Sequence, residues 1–297
     1  KTFTEIFSDL IVELAEKNDS IIAITAAMEE GTGLKQFKTK FPERFIDVGI
    51  AEQHAVSMAS TLGYSGLKPV FAVYSTFLQR AVDQIIQDVC IGRSPVVFAI
   101  DRAGIAGSDG ETHQGQFDIA YLRMIPGITI FAPCDASELK LMLEYAVNAA
   151  SPVAVRYPRD FAADSQLDGN HPDILKNPFV ILEEGREVMI IVIGPFISLA
   201  KECCEKLKLK NISCGALYLR MLKPIDDTLL YSKISKYSKI VVIEESVFSG
   251  SVSEYIGSLI SKNGSKIKFG SINIPDEFIE HDTRQNILQK IGFNSEN

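Results

Sequence analysis

The sequence predicts two consecutive α/β domains, the first built on a mostly parallel sheet covered on both faces, the second smaller. Three observations predict it. Unbroken apolar runs of strand length alternate with helix-length segments along nearly the whole chain. A length of 297 residues suits about two domains at roughly 100–200 residues each. The alternation lapses once, from Asp160 to Pro178, where Asp, Asn, Pro and Gly dominate and no period is sustained.

The elements follow in order. Thr2 and Glu5 form a capping-box pair ahead of Ile6, Leu10 and Leu14, whose helical spacing predicts a first helix. An apolar run from Ile21 to Met28 comes next. Strand-like runs stand at Phe45–Val48, Pro69–Tyr74, Val96–Ile100, Ile128–Ala132 and Pro152–Arg156, separated by helix-length segments around 50–64, 76–90, 117–124 and 136–149. The first domain is expected over 1–162, a linker over 163–178 and the second domain over 179–297. There, strands at Val188–Ile193, Ile212–Leu219, Lys239–Glu244 and Ile267–Ile272 alternate with helices near 196–207, 226–233 and 250–262. No internal repeat, low-complexity tract or heptad run interrupts this order.

Composition removes several function classes. Thirty Lys plus Arg against 38 Asp plus Glu leave a net charge of −8, which argues against a nucleic-acid footprint. The longest mainly apolar stretch, Val188 to Ala200, is interrupted by Gly194 and Pro195 and falls short of the roughly 18 residues of a spanning helix. Cys90, Cys134, Cys203, Cys204 and Cys214 are odd in number and show no metal-ligand spacing, so reduced thiols and a soluble, cytoplasmic protein without a membrane role are expected. His54, His113, His171 and His281 lack His or Cys partners at ligand spacing, and no protein-bound metal is expected. Gly31-Thr32-Gly33 is followed by Gln36 where a dinucleotide loop needs its third glycine; GxxxxGK, HExxH and GxSxG are absent. The first residue is Lys, not Met, which predicts a processed or excised part of a longer polypeptide.

Four segments carry the candidate chemistry. In FIDVGIAEQHAVSMA, Glu52 opens an apolar helix after a strand; it either complements the helix dipole or serves as a functional carboxyl in a position where burial favours its protonated form. AVYSTFLQRAVDQ puts Tyr74, Phe77 and Arg80 at the same sheet edge, as core aromatics or as a ligand surface. DRAGIAGSDGETHQGQFD is a long glycine-rich loop where ordinary connections are about 4–6 residues, and it gathers Arg102, Asp109 and His113. Each alone reads as a solvated loop residue; together they offer a cation, a carboxylate and an imidazole suited to proton transfer. Arg156-Tyr157-Pro158-Arg159 offers either surface charge or a planar fork for phosphate or carboxylate.

DVGIAEQHA, YSTFLQRAVDQ, DRAGIAGSDGETHQGQFD, YLRMIPG, APCDASEL and AVRYPR, in this order, resemble the pyrimidine-binding domain of the 1-deoxy-D-xylulose-5-phosphate synthase family, thiamine-diphosphate enzymes of the transketolase superfamily. LRMLKPID, VVIEES and IPDEFIEHDT resemble the C-terminal domain of the same family. The resemblance implies that Glu52 hydrogen-bonds N1′ of the cofactor's aminopyrimidine, Phe77 stacks on that ring and Arg80 lies close by. It places the phosphate of glyceraldehyde 3-phosphate on Tyr74, Arg102 and Arg159, and Asp109 and His113 beside the reacting carbons. The implied reaction condenses pyruvate with the aldehyde, with loss of carbon dioxide, toward isoprenoid, thiamine and pyridoxal synthesis. A homodimer is also implied, its C-terminal domain serving contacts rather than chemistry.

Three departures stand out: Asp160 in place of a glycine after RYPR, Ser249-Gly250-Ser251 in place of a more glycine-rich turn, and no GDG motif with a following Asn. That motif holds Mg²⁺ and the diphosphate in the superfamily, so both ligand sets are expected on an N-terminal domain outside this chain, which alone is expected to be inactive. The alternatives are a natural subunit of a split transketolase-type enzyme and a noncatalytic module that keeps the fold.

Overall fold

The computed structural model describes residues 1–163, 167 and 173–296. The order is α1 (Phe3–Lys17), β1 (Ile21–Thr25), α2 (Lys35–Lys40), β2 (Phe45–Asp47), α3 (Glu52–Tyr64), β3 (Lys68–Tyr74), α4 (Ser75–Leu78), α5 (Val82–Gln84), β4 (Val97–Asp101), α6 (Asp118–Met124), β5 (Thr129–Phe131), α7 (Ala136–Asn148) and β6 (Val153–Arg156). Then come β7 (Phe179–Glu183), β8 (Val188–Val192), α8 (Ile197–Leu209), β9 (Cys214–Leu219), β10 (Met221–Lys223), α9 (Asp227–Ile234), β11 (Lys239–Val247), α10 (Val252–Lys262), β12 (Lys268–Ile274) and α11 (Arg284–Lys290). The expected capping box is formed, with Thr2 accepting from the Glu5 amide and Glu5 reaching back to the Thr2 amide.

A seven-stranded sheet runs β10-β5-β6-β4-β3-β1-β2, parallel except for β10. Alternation within its strands explains why they read as unbroken apolar runs. Ile22, Ile24, Phe71, Val73, Phe98 and Ile100 pack on one side with Ala55, Val56 and Ala59 of α3. Ile21, Ala23, Val70, Ala72, Val97 and Ala99 pack on the other with Phe3, Phe7 and Ile11 of α1 and Leu139 and Leu143 of α7. Both faces are covered, so polar residues such as Thr25, Asp101 and Arg156 stand only at the strand ends. The second sheet, β12-β11-β8-β9-β7, is parallel except for β7.

Four short elements escape the sequence pattern: α2, β10 and α11 have too few apolar positions to set a period, and β7, an apolar run of four, directly follows the Asp- and Asn-rich stretch. The segment 76–90 was expected as one helix and is instead broken into α4, a 3-10 turn at Gln79–Ala81, α5 and a π-helical turn at Ile85–Cys90. The break falls at Ala81, whose φ of −111° and ψ of 18° leave the helical basin. Half of the expected linker lies outside the described residues, at 164–166 and 168–172.

The two sheets are interlocked. Strand β10 pairs antiparallel with β5 of the first sheet. Beside it the fully buried Arg220 meets Glu138 of α7, with Nη2 donating to Oε1 at 2.6 Å and Nε to Oε2 at 2.8 Å. A charge pair this deep is tolerable because the two fork donors face both carboxylate oxygens.

Candidate functional site

The carboxyl ends of the parallel strands β1, β2, β3, β4 and β6 lie along one edge, where the chain leaves each strand into a loop or helix start. Open α/β sheets present their ligand crevices there. Glu52 is the first residue of α3, where the helix dipole favours an acid, and it is only 2% exposed. Arg80, carried on the 3-10 turn, donates from Nη1 to Glu52 Oε1 at 2.6 Å, and its guanidinium sits 4.9 Å over the Phe77 ring. The break at Ala81 thus leaves Arg80 facing Glu52.

From Phe77 the contacts run on to the other candidates. Phe77 stacks with Tyr74, their centroids 5.8 Å apart and planes 16° from parallel. The His113 ring stands edge-on to Phe77 at 5.3 Å and to Tyr74 at 6.5 Å, while its Nδ1 is 2.9 Å from the Thr112 hydroxyl. Arg102 lies 3.8 Å over the Tyr74 ring and donates from Nη1 to the Gly31 carbonyl at 2.8 Å. Asp109 sits between two arginines, 3.9 Å from Arg102 Nε and 2.5 Å from Arg159 Nη1. All eight candidates therefore join in one line of contacts: Glu52, Arg80, Phe77, Tyr74, Arg102, Asp109 and Arg159, with His113 packed on the aromatics.

The electrostatics are uneven along that line. Burial pushes the Tyr74 hydroxyl above its ordinary value, opposed by Arg102. Burial also pushes the Asp101 carboxyl up to about 6, against the pull of Arg102 and a hydrogen bond from the Thr4 hydroxyl at 2.7 Å. Arg102 Nε is buried with no hydrogen-bond partner, a donor left over for an oxygen ligand. Beside Phe77 and Arg80 a groove of about 440 Å³ opens, lined also by Gln114, Phe117 and the exposed Phe278.

Of the two RYPR arginines, Arg156 closes its fork inside the fold, on both oxygens of Asp118. Arg156 ends β6 with its side chain 5% exposed, and its Nε donates to Asp118 at 2.7 Å, so only Arg159 reaches the edge. Asp101, Gly31, Gln114 and Phe278 also border the site without having been among the sequence candidates. Asp101 carried a signal, as a charge closing an apolar strand; Phe278, from the distant C-terminal segment, carried none. Among the described residues no group of three or more His, Cys, Asp and Glu side chains is placed to hold a metal ion. No described helix is long and apolar enough to cross a membrane.

The family model "Transketolase, pyrimidine binding domain" matches residues 1–163, and "Transketolase, C-terminal domain" matches residues 179–297. Among curated relatives, 1-deoxy-D-xylulose-5-phosphate synthase of Heliobacterium modesticaldum is 43% identical over 296 residues, covering 100% of this chain and 46% of the relative. The synthase of Dictyoglomus thermophilum is 47% identical over 284 residues, covering 96% of this chain and 46% of the relative. The chain spans about half the length of these curated relatives. A solved structure described as a split gene transketolase, an inactive beta4 tetramer, superposes with a TM-score of 0.86 at 27% identity, covering 99% of this chain and 95% of that one.

Proposed function

This chain belongs to the transketolase family, and on that premise we propose that it is the pyrimidine-binding and C-terminal part of a thiamine-diphosphate-dependent 1-deoxy-D-xylulose-5-phosphate synthase. We divide it into a pyrimidine-binding domain over 1–162, a linker over 163–178 and a C-terminal domain over 179–297. The reaction is the decarboxylative condensation of pyruvate with glyceraldehyde 3-phosphate, in the cytoplasm, supplying isoprenoid and thiamine synthesis. The observation that carries the reading is the line of contacts from a buried carboxyl, through stacked aromatics, to two cations converging on one carboxylate.

The residues present fit one half of the cofactor. A buried acid at a helix start, with an aromatic ring and a groove beside it, suits an aminopyrimidine; no acidic cluster among the described residues suits a diphosphate with Mg²⁺. We therefore assign the diphosphate and Mg²⁺ to an N-terminal domain or partner subunit, and expect a homodimeric enzyme and an inactive isolated chain. Thiamine diphosphate, when bound, supplies a carbon nucleophile for 2-oxo acids.

The rest falls to the side chains. Glu52 holds a hydrogen bond at the ring nitrogen of the pyrimidine, which requires the half-exposed Arg80 to give way or share the carboxyl. Phe77 offers the apolar face for that ring. Arg102, through the Nε that makes no hydrogen bond, joins Arg159 and the Tyr74 hydroxyl in holding the substrate phosphate, a dianion best met by charge-assisted donors. Asp109 and His113 move protons at the acceptor carbonyl oxygen.

The test combines the chain with a diphosphate-binding domain from a relative and follows product formation. Glu52→Ala lowers turnover by about 10²- to 10⁴-fold, the range of a lost acid–base group. Turnover near that of the unsubstituted chain would overturn the role of Glu52. Tight calorimetric binding of thiamine diphosphate and Mg²⁺ by this chain alone would overturn the half-site reading. A second reading, a natural subunit of a two-chain enzyme, is favoured by the split gene transketolase, of which this chain covers 95%.

A further inference from the structure

The loop that carries Arg102, Asp109 and His113 is gripped from outside the first sheet. Glu245, in β11 of the second sheet and 2% exposed, accepts the Ile105 amide at 2.6 Å. Arg284, the first residue of α11, pairs with both oxygens of Glu245, donates from Nη1 to the Ile105 carbonyl at 2.8 Å, and donates from Nε to Asp160 Oδ2 at 2.9 Å. Two glycines make the approach possible. A Cβ on Gly104 would lie 2.4 Å from Glu245 Cδ, and one on Gly107 would lie 2.9 Å from the Arg284 amide nitrogen.

The positions of these anchors matter more than their number. Ile105 lies in the chain between Arg102 and Asp109, and Asp160 directly follows Arg159. One guanidinium thus fixes both segments whose side chains meet in the Asp109–Arg159 pair. A planar fork with five donors serves three acceptors held at fixed angles; an ammonium on a flexible stem cannot. Arg284 is itself only 10% exposed, and its side-chain hydrogen bonds go to Glu245, Ile105 and Asp160 and to none of the eight candidate residues, so its influence passes through the loop backbones.

We propose that Arg284 is a positioning residue for the anion cradle: from the C-terminal domain it holds the 102–118 loop and the segment after Arg159 in the register that brings Arg102, Asp109 and Arg159 together. The inference rests on the reading of that cradle as the phosphate site. It gives the C-terminal domain a part in site geometry beyond subunit contact.

Amide hydrogen exchange tests it on the full chain, read by mass spectrometry for the unsubstituted protein, Arg284→Ala, Arg284→Lys and Asp160→Asn, with inorganic phosphate as the probe anion. Arg284→Ala speeds exchange in 102–118 and in 157–163 by about tenfold or more, the scale of a lost charge-assisted hydrogen bond, and leaves α1 and β1 unchanged. It also raises the phosphate concentration that half-protects 102–118 by about tenfold, and Arg284→Lys recovers only part of both effects. Asp160→Asn cuts one arm and loosens 157–163 alone. Unchanged exchange in both segments overturns the inference, as does loosening confined to α11 with the phosphate midpoint unmoved. If Arg284→Ala fails to fold, Arg284→Lys and Asp160→Asn decide, and the absence of local change in both overturns it. If phosphate protects nothing in the unsubstituted chain while Arg284→Ala still loosens both segments, the positioning role stands and the phosphate reading fails.

Discussion

Asp101 closes β4 with its side chain fully buried, accepting from the Thr4 hydroxyl at 2.7 Å and from the Arg102 amide at 2.6 Å. Burial lifts its carboxyl from the ordinary 3.8 to about 6, and Arg102 and Thr4 only partly offset this. The folded state therefore binds the proton more tightly than the unfolded state does. Its contribution to stability is complete below about pH 4 and is lost as pH rises through about 6. At 1.36 kcal/mol for each pKa step of one, the ionised folded protein is destabilised by about 3 kcal/mol relative to the protonated one. Asp101→Asn keeps a neutral acceptor and removes the titration. The difference in unfolding free energy between Asp101→Asn and the parent should move in favour of the substitution by about 2–3 kcal/mol from about pH 4 to pH 8, with most of the change below about pH 6. The chain contains no Trp, so urea unfolding is best followed by far-UV circular dichroism. A difference that stays flat across this range, or moves the other way, would refute the account of Asp101 as a carboxyl held against its charge.

Two further perturbations probe the frame of the site. Arg220→Met leaves the Glu138 carboxylate buried without its guanidinium and should cost about 3–5 kcal/mol in urea unfolding, while adding Glu138→Leu should recover much of that loss; equal costs for the single and double variants would contradict the pairing. Gly115→Ala places a Cβ 2.2 Å from the Arg102 carbonyl oxygen and 2.7 Å from Ser75 Cβ. It should destabilise by about 1–3 kcal/mol, since backbone cannot yield as a side-chain tip can, and an unchanged urea midpoint would contradict the close approach.

The parts of this fold that were legible in the sequence share a cause. Strands β1, β3, β4 and β6 are dry on both faces, so each announces itself as an apolar run, and the polar loop after Ile100 stands out by contrast. The parts that were not legible depend on partners far away in the chain. Nothing local in Met221–Lys223 says that it pairs with β5 of the other sheet, and nothing in HDTRQN says that Arg284 reaches Glu245 and Asp160. The site follows the same division. Glu52, Tyr74, Phe77, Arg102, Asp109, His113 and Arg159 sit at or just past strand ends, at the helix starts that follow them or in the long loop, where residue type and position already speak. Phe278 and Glu245 enter from the second sheet and its following segment, and only the folded chain shows them at the site's border.

The RYPR segment shows why residue type alone does not sort cations into frame and site. Arg156 and Arg159 are three apart and chemically identical, yet Arg156 is 5% exposed against Asp118 while the Arg159 side chain is 41% exposed against a carboxylate that is itself 27% exposed. Parting a fully buried pair leaves a charge without water or partner, at about 3–5 kcal/mol, so Arg156, Arg220 and Arg284 are committed to their carboxylates. A half-exposed pair separates at about 0–1 kcal/mol because water replaces the lost partner. Arg159 is in that second class; Arg80 is half-exposed but its partner Glu52 is buried, and Arg102, 11% exposed, keeps its ion pairs with Asp101 and Asp109 while its Nε makes no hydrogen bond. On the proposed reading, an anion takes Arg159 from its carboxylate at little cost and meets the Arg102 Nε donor without breaking a hydrogen bond. The net charge of −8 hides that capacity, because the cations that matter are selected by burial and pairing and not by their excess over acids.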